Sequence, residues 1–231
     1  MFESALANTI FCFAVCAIVS YLLGSVSFAV IFSKAFAHRD VREMGSGNAG
    51  MTNVMRAIGV LPGILTFVCD ALKGFIACGF AKYIIMPAVQ TDIWWINPVY
   101  VSFLCGALCM LGHVFPVFFG FKGGKGVATS VGIFAVCSPF AIIAGLTVFV
   151  LGVLITRIVS LSSLIATVTV VSCVAVFYNN SCPLWPAMLL SVVMGVMVFA
   201  KHKDNIVRLL KGEEKKLKIK KEGRISYLLF L

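Results

Sequence analysis

The chain has 231 residues, 61% of them hydrophobic and only 12% charged, with a formal net charge of +10 at pH 7. A soluble globular domain carries roughly 25% charged residues, so composition excludes an ordinary water-soluble protein and predicts an all-α polytopic membrane protein. The basic residues fall in the polar segments between apolar runs, which is a topology signal and not the footprint of a nucleic-acid binder.

In chain order, the first apolar run, Thr9 to Phe32, has no basic leader and is too long for a signal-peptide core, which predicts a retained transmembrane helix. The polar stretch AHRDVREMGSGNAGMTNVMRAIG follows. Leu61 to Met86 is the second predicted span and carries Asp70 and Lys73 inside it; after the aromatic turn AVQTDIWWINP, Val99 to Phe119 is the third. Val127 to Thr156 exceeds a single crossing at about 20 residues per span. Pro139 removes a backbone donor and disfavours helix at Ser138, so this run divides there into a short fourth helix and a fifth. Leu161 to Tyr178 and Ala187 to Ala200, separated by NNSCPLWP, are the sixth and seventh. The expectation is therefore about seven transmembrane helices. Five crossings satisfy the same orientation if Val127 to Thr156 is one tilted helix and another short run is re-entrant.

Lys34, Arg39, Arg42, Arg56, Lys122, Lys125, Arg157 and the basic tail alternate with segments 1–8, 87–97 and 179–185, which hold no Lys or Arg. The positive-inside pattern places the N-terminus outside and the C-terminus in the cytoplasm, with Lys82 the one basic residue against it. In the tail, Ile206, Leu209, Leu210 and Leu217 recur at helix-like spacing among basic residues, which predicts a segment lying on the anionic inner leaflet. There are nine cysteines, most within apolar runs. Cys12/Cys16 and Cys105/Cys109 have i, i+4 spacing, but no set of further ligands joins them. They read as small buried hydrophobes and no metal is expected.

The polar, glycine-rich segments all fall on the predicted cytoplasmic side. In GSGNAGMTNVMR, Gly45, Ser46, Gly47 and Gly50 allow close backbone approach, Asn48, Thr52 and Asn53 add polar groups, and Arg56 brings a fork suited to phosphate; a flexible turn needs the Gly and Asn but not the Arg. In GHVFPVFFGFKGGKGVATS, Lys122, Gly123, Gly124, Lys125 and Gly126 lead into a helix whose free N–H groups can cradle an anion. The competing reading is a plain turn whose lysines only set topology. Three residues, not four, separate Gly120 from Gly124, and Gly126 stands where a Walker loop has Ser or Thr, so nucleoside triphosphate hydrolysis is not expected. His113 suits a core or a functional histidine equally. Arg157 precedes Ser160, Ser162 and Ser163, a cluster that also reads as a helix cap. His202 and Asn205 share a helix face by their i, i+3 spacing, as do Asp70 and Lys73, an intramembrane pair and so a candidate site.

Together, GSGNAGMTN, DALKG, GHVFPVFFGFKGGKGVAT, RIVSLSS and HKDNIVRLLKGEE resemble, in order from about Leu22 to Lys215, the bacterial acyl-phosphate:glycerol-3-phosphate acyltransferase family. Ser27, Ala49 and Met51 depart from residues common in that family (Pro, Pro and Ala). The resemblance implies a multi-pass enzyme of the bacterial inner membrane, with its active site facing the cytoplasm. It would move an acyl chain from acyl phosphate to the 1-hydroxyl of glycerol 3-phosphate, without metal or nucleotide and as a monomer. It implies catalytic roles for Ser46, Asn48, Arg56, Lys125, His202 and Asn205. Substrate contacts would come from Gly45, Gly47, Thr52, Asn53, Gly123, Gly124, Gly126, Ser162 and Ser163. One domain would cover residues 1–216, with a basic extension at 217–231. The rival class is a transporter or channel for phosphate esters. Transporters place their site near the midplane between repeats, whereas here no repeat is visible and the motifs gather at one face.

Overall fold

A computed structural model of the chain describes residues 2–88, 97–177 and 183–217. The tail beyond Leu217 and most of the two outer turns lie outside the described residues, and with them the expected course of the extension. Among the described residues every regular element is helical.

The first apolar run, predicted as one helix, is two: α1 (Phe2–Gly24) and α2 (Phe28–Ala37). At the break Ser25 turns its hydroxyl back to Tyr21 O at 2.9 Å. A broken helix strands carbonyls that hydrocarbon cannot solvate; here Val26 O takes a 2.8 Å hydrogen bond from Lys73 Nζ. After a 3-10 turn at Val41–Glu43 come the short α3 (Met51–Ala57) and the long α4 (Val60–Phe80). A π-turn, Ala81–Ile85, carries α4 into a last turn, α5 (Met86–Ala88). α6 (Pro98–Val114) starts on Asn97, whose side chain accepts the Val99 N–H, with Pro98 in the first turn where no N–H is needed. α7 (Val127–Cys137) and α8 (Pro139–Thr156) part at Ser138, as Pro139 predicts. α9 (Val159–Phe177), α10 (Trp185–Lys201) and α11 (Lys203–Leu210) follow, the last two bent by 61° at His202.

Among the described residues five stretches are long and apolar enough to cross a membrane, and six if the bent α10 and α11 count as one. α7 has 11 residues, or about 16 Å at 1.5 Å per residue, which is short of a hydrocarbon core of about 30 Å. Large apolar side chains such as Ile155, Val176 and Phe11 stand outward on the spans, where lipid is their natural solvent.

Two close crossings hold the polar loops together. A Cβ on Gly132 of α7 would lie 1.8 Å from Ala71 O of α4, and one on Gly112 of α6 would lie 2.2 Å from Tyr21 O of α1. Backbones that approach this closely need small residues, as membrane helices commonly do. Between them sits a buried ionic post: Lys73 Nζ is 2.8 Å from Asp70 Oδ1, and His113 Nδ1 is 3.5 Å from the same oxygen. The post ties α4 to the C-terminal end of α6, just below the glycine-lysine loop. The packed core on the other side is apolar, centred on Phe103 edge-on to Phe134 at 6.1 Å, with Met110, Ile133 and Met194.

Candidate active site

Asn53 folds the first glycine-rich loop. Its Oδ1 accepts the Ser46 N–H at 2.8 Å, and its Nδ2 donates to the carbonyls of Val41, Met44 and Asn48 at 2.9 to 3.1 Å. The amide of this substrate-contact candidate is thus spent on the protein. Gly45 has φ +60 and a Cβ there would meet Asn53 Oδ1 at 2.3 Å, so both the turn and the close approach call for glycine. The loop is docked to the next one by Arg42, whose guanidinium grips Asp40 at 2.8 and 3.0 Å and donates to Phe119 O at 2.6 Å. The Arg42 hydrogen bonds hold the Asp40 carboxyl below its ordinary range.

The glycine-lysine loop packs against both the first loop and the ionic post. Gly124 N–H donates to His113 O at 3.1 Å, while a Cβ on Gly124 would lie 2.3 Å from His113 Nε2 and 2.6 Å from Ala49 O. Gly126 takes φ +85 as the N-cap of α7. The N–H groups of Gly123, Lys125 and Gly126 make no hydrogen bond among the described residues. The first turn of α7 adds helix-terminal N–H groups beside them. Unpaired N–H groups at a helix N-terminus beside a lysine are suited to an anion.

The Lys125 side chain is tied to the C-terminal end of the bundle. Its Nζ donates to Asn205 Oδ1. Asn205 Nδ2 donates in turn to Glu214 Oε1 at 2.6 Å, which also accepts from Ser160 Oγ at 2.8 Å, while Arg208 Nε donates to Glu214 Oε2 at 2.6 Å. Burial raises the Glu214 carboxyl, but the hydrogen bonds from Asn205, Arg208 and Ser160 outweigh it and leave the group below its ordinary value. Burial pushes the Lys125 ammonium down to about 8, with nearby Arg208 and Arg56 adding to the fall and Glu214 opposing it. At the bend past α10, burial and then the Lys125 cation push His202 down to about 4. Its Nδ1 lies 2.8 Å from Val198 O, which can only accept, so Nδ1 carries the proton and the Nε2 lone pair is left over.

Two cavities flank these groups. One, of about 270 Å³, is lined by Met44, Gly45, Ser46, Asn53, Arg56, Ala57 and Lys215. The other, of about 110 Å³, is apolar and runs between α7, α8, α9 and α10, from Val127 past Phe134, Gly145 and Ser163 to Val198. Val127 follows Lys125 by two residues and Val198 O is the partner of His202, so the apolar cavity begins beside the cation and the imidazole. Such an arrangement can hold a phosphate at the loops and an alkyl chain between the helices.

The fold thus brings Ser46 and Arg56 to one cavity, and Lys125, His202 and Asn205 to one cluster, whose Lys125 is near enough to Arg56 to feel its charge. Asn48 contributes its carbonyl to Asn53, Gly47 takes φ +71 in the same turn, and Thr52 lies in the first turn of α3. Ser162 and Ser163 diverge. Ser163 faces the apolar cavity, whereas Ser162 packs on Gly152 of α8, where a Cβ would come within 2.8 Å of its Oγ. Sequence reasoning passed over Glu214, Arg208, Lys215 and the Asp40–Arg42 pair. The available signal was Gly212, a helix stop after α11 that turns the chain back with φ +71.

Residues 14–212 match the family model described as glycerol-3-phosphate acyltransferase. Among curated relatives, glycerol-3-phosphate acyltransferase 2 of Bacillus anthracis is 40% identical over 200 residues, covering 87% of this chain and 96% of its own. The glycerol-3-phosphate acyltransferase of Anaeromyxobacter sp. (strain K) is 39% identical over 197 residues, covering 85% and 93%. Among solved structures, PlsY, an integral membrane glycerol 3-phosphate acyltransferase, superposes in its glycerol 3-phosphate form with a TM-score of 0.77 at 35% identity, covering 91% of this chain and 96% of that one. Its lysophosphatidic acid form gives 0.74 at 34% with the same coverage.

Proposed function

The chain belongs to the glycerol-3-phosphate acyltransferase family, and we propose that it transfers a fatty acyl chain from acyl phosphate to the 1-hydroxyl of glycerol 3-phosphate. The products are lysophosphatidic acid and inorganic phosphate, and the reaction is the first step of phospholipid synthesis. The observation that carries this reading is Lys125 with the unpaired N–H groups of Gly123, Lys125 and Gly126, directly before Val127, where the lining of an apolar cavity begins on α7. Both substrates are phosphorylated, and two cation-bearing glycine loops meet here.

Acyl phosphate is already activated, so the site must position it and stabilise charge more than supply a strong base. Lys125, oriented by Asn205, and the loop N–H groups around Gly124 hold the donor phosphate as it leaves with the electron pair of the acyl–oxygen bond. Ser46, Arg56 and, at the rim, Asn48 and Thr52 hold the acceptor; Gly45, Gly47 and Asn53 shape that loop. Ser163 lies along the acyl slot, and Ser162 sets the α8–α9 contact behind it. The acceptor hydroxyl forms the new ester bond and gives its proton to the phosphate dianion of glycerol 3-phosphate, with His202 Nε2 as a neutral acceptor alongside.

In this reading residues 1–216 form one domain that works as a monomer, and the extension follows from 217. The active face looks into the cytoplasm of a bacterial inner membrane and the N-terminus lies outside. Seven crossings are counted with α7 as a short one. In support, Lys82, near the far end of the second span, donates to Val136 O at 3.2 Å, so the end of α7 reaches that depth. The test is inorganic phosphate release by the purified protein from palmitoyl phosphate with and without glycerol 3-phosphate. Release that needs both and collapses in Arg56→Ala and Lys125→Ala is expected; a well-folded protein with no acceptor-dependent release would refute the reading.

A further inference from the structure

Gly212, at φ +71, reverses the chain after α11, and Gly212 N and Glu213 N close the turn on Leu209 O and Arg208 O. Two anchors then hold the returning strand against the active face. Glu214 is fixed by Ser160, Asn205 and Arg208, and Leu217 N donates to Arg157 O at 2.8 Å. Between the anchors Lys215 is left lining the same 270 Å³ cleft as Ser46 and Arg56. Among the described residues no carboxylate lines that cleft, and Glu214, its neighbour in sequence, is committed elsewhere. The cleft therefore presents two cations with no counter-charge, which is complementary to a dianion. It is also the more polar of the two cavities and lies apart from the apolar slot between α7, α8, α9 and α10.

We propose that Lys215 is a further substrate-binding residue, contacting the phosphate of glycerol 3-phosphate opposite Arg56, and that the strap from Lys211 to Leu217 exists to deliver it. The inference rests on the acyltransferase reading above. Lys215 lies three residues past the stretch that matches the family model, which ends at residue 212.

The test uses the purified full chain in detergent micelles and initial rates of phosphate release. Glycerol 3-phosphate is varied at saturating palmitoyl phosphate, and then the reverse. Lys215→Gln is expected to raise KM for glycerol 3-phosphate about tenfold, the worth of one charge-assisted contact at a partly exposed site. kcat and the KM for palmitoyl phosphate should stay unchanged, with Lys215→Arg restoring the wild-type KM and Lys216→Gln indistinguishable from wild type. An unchanged acceptor KM in Lys215→Gln overturns the proposal, as does a rise confined to the donor KM, or a loss of kcat that Arg does not restore. A wild-type protein with no acceptor-dependent release would instead remove the acyltransferase reading, and this proposal with it.

Discussion

Replacing Lys125 with Arg tests the electrostatics of the site directly. Burial holds the Lys125 ammonium down to about 8, so its charge is present at neutral pH and lost as pH rises through that value. Between pH 7 and pH 9 the protonated fraction falls from about 0.9 to about 0.1, which predicts a fall of about tenfold in kcat/KM, a quantity that reports the free enzyme. Arg stays charged throughout this range. Lys125→Arg should therefore show a lower rate, because the guanidinium fork does not reproduce the single bond to Asn205 Oδ1, but no alkaline limb. Lys125→Ala should lose about 10² to 10³ in kcat, the usual worth of one donor aimed at developing charge. The assay is phosphate release at subsaturating glycerol 3-phosphate from pH 6 to 9.5, with non-enzymatic hydrolysis of palmitoyl phosphate subtracted. A wild-type profile flat to pH 9.5, or the same limb persisting in Lys125→Arg, would refute the reasoning.

His202, pushed down to about 4, is neutral across the working range, so the acid limb of kcat/KM should follow the second ionisation of glycerol 3-phosphate near about 6. Activity falls below that pH as the dianion is protonated, and His202→Asn should lower the rate while leaving the limb in place; a limb that vanishes in this variant would make the imidazole the base instead. Gly124→Ala forces a Cβ against His113 Nε2 at 2.3 Å and Ala49 O at 2.6 Å, and should lose more than about tenfold in kcat/KM as the loop shifts. Gly120→Ala meets nothing within 4 Å, costs about 1 to 2 kcal/mol for its left-handed φ, and should leave the rate near wild type; equal losses in the two variants would show that the loop geometry is not what matters. Asp70→Asn leaves the buried Lys73 ammonium without its counter-charge and should cost about 3 to 5 kcal/mol of stability. Thermal unfolding in detergent reads this loss, and Asp70→Asn/Lys73→Met should recover only part of it, because Val26 O then loses its donor.

Where local chemistry decides, the sequence was sufficient. Runs of apolar residues with few charges can only be buried or meet lipid, so the spans of α4, α6, α8 and α9 were legible. Pro139 cannot donate a backbone hydrogen bond, and the break between α7 and α8 follows from that alone. The gathering of Gly45 to Arg56, the Lys122 to Gly126 loop and the His202 to Asn205 pair on one face follows from the alternation of apolar and basic segments. The expectation of anion-binding chemistry there came from composition and order.

What each of those residues does was decided only by partners far away in the chain. No local rule breaks the first helix at Ser25 to Ser27; the break is tolerated because Lys73, 47 residues on, takes the Val26 carbonyl that lipid would leave unsolvated. Asn53 and Thr52 are both polar neighbours of Arg56, yet only the folded loop shows that the Asn53 amide is used up on backbone groups. Ser162 and Ser163 are adjacent and chemically identical, but a helix turns each residue by about 100°, so one meets Gly152 and the other the apolar cavity. Lys125 and Asn205 stand 80 residues apart, and the carboxylate that steadies the pair, Glu214, lies on a strap read in the sequence as a basic tail. Residue type and order determined that this chain folds in a membrane and meets phosphate at one face. Tertiary packing alone decided which polar groups remain free to do so, because a hydrogen bond made within the protein cannot also be offered to a substrate.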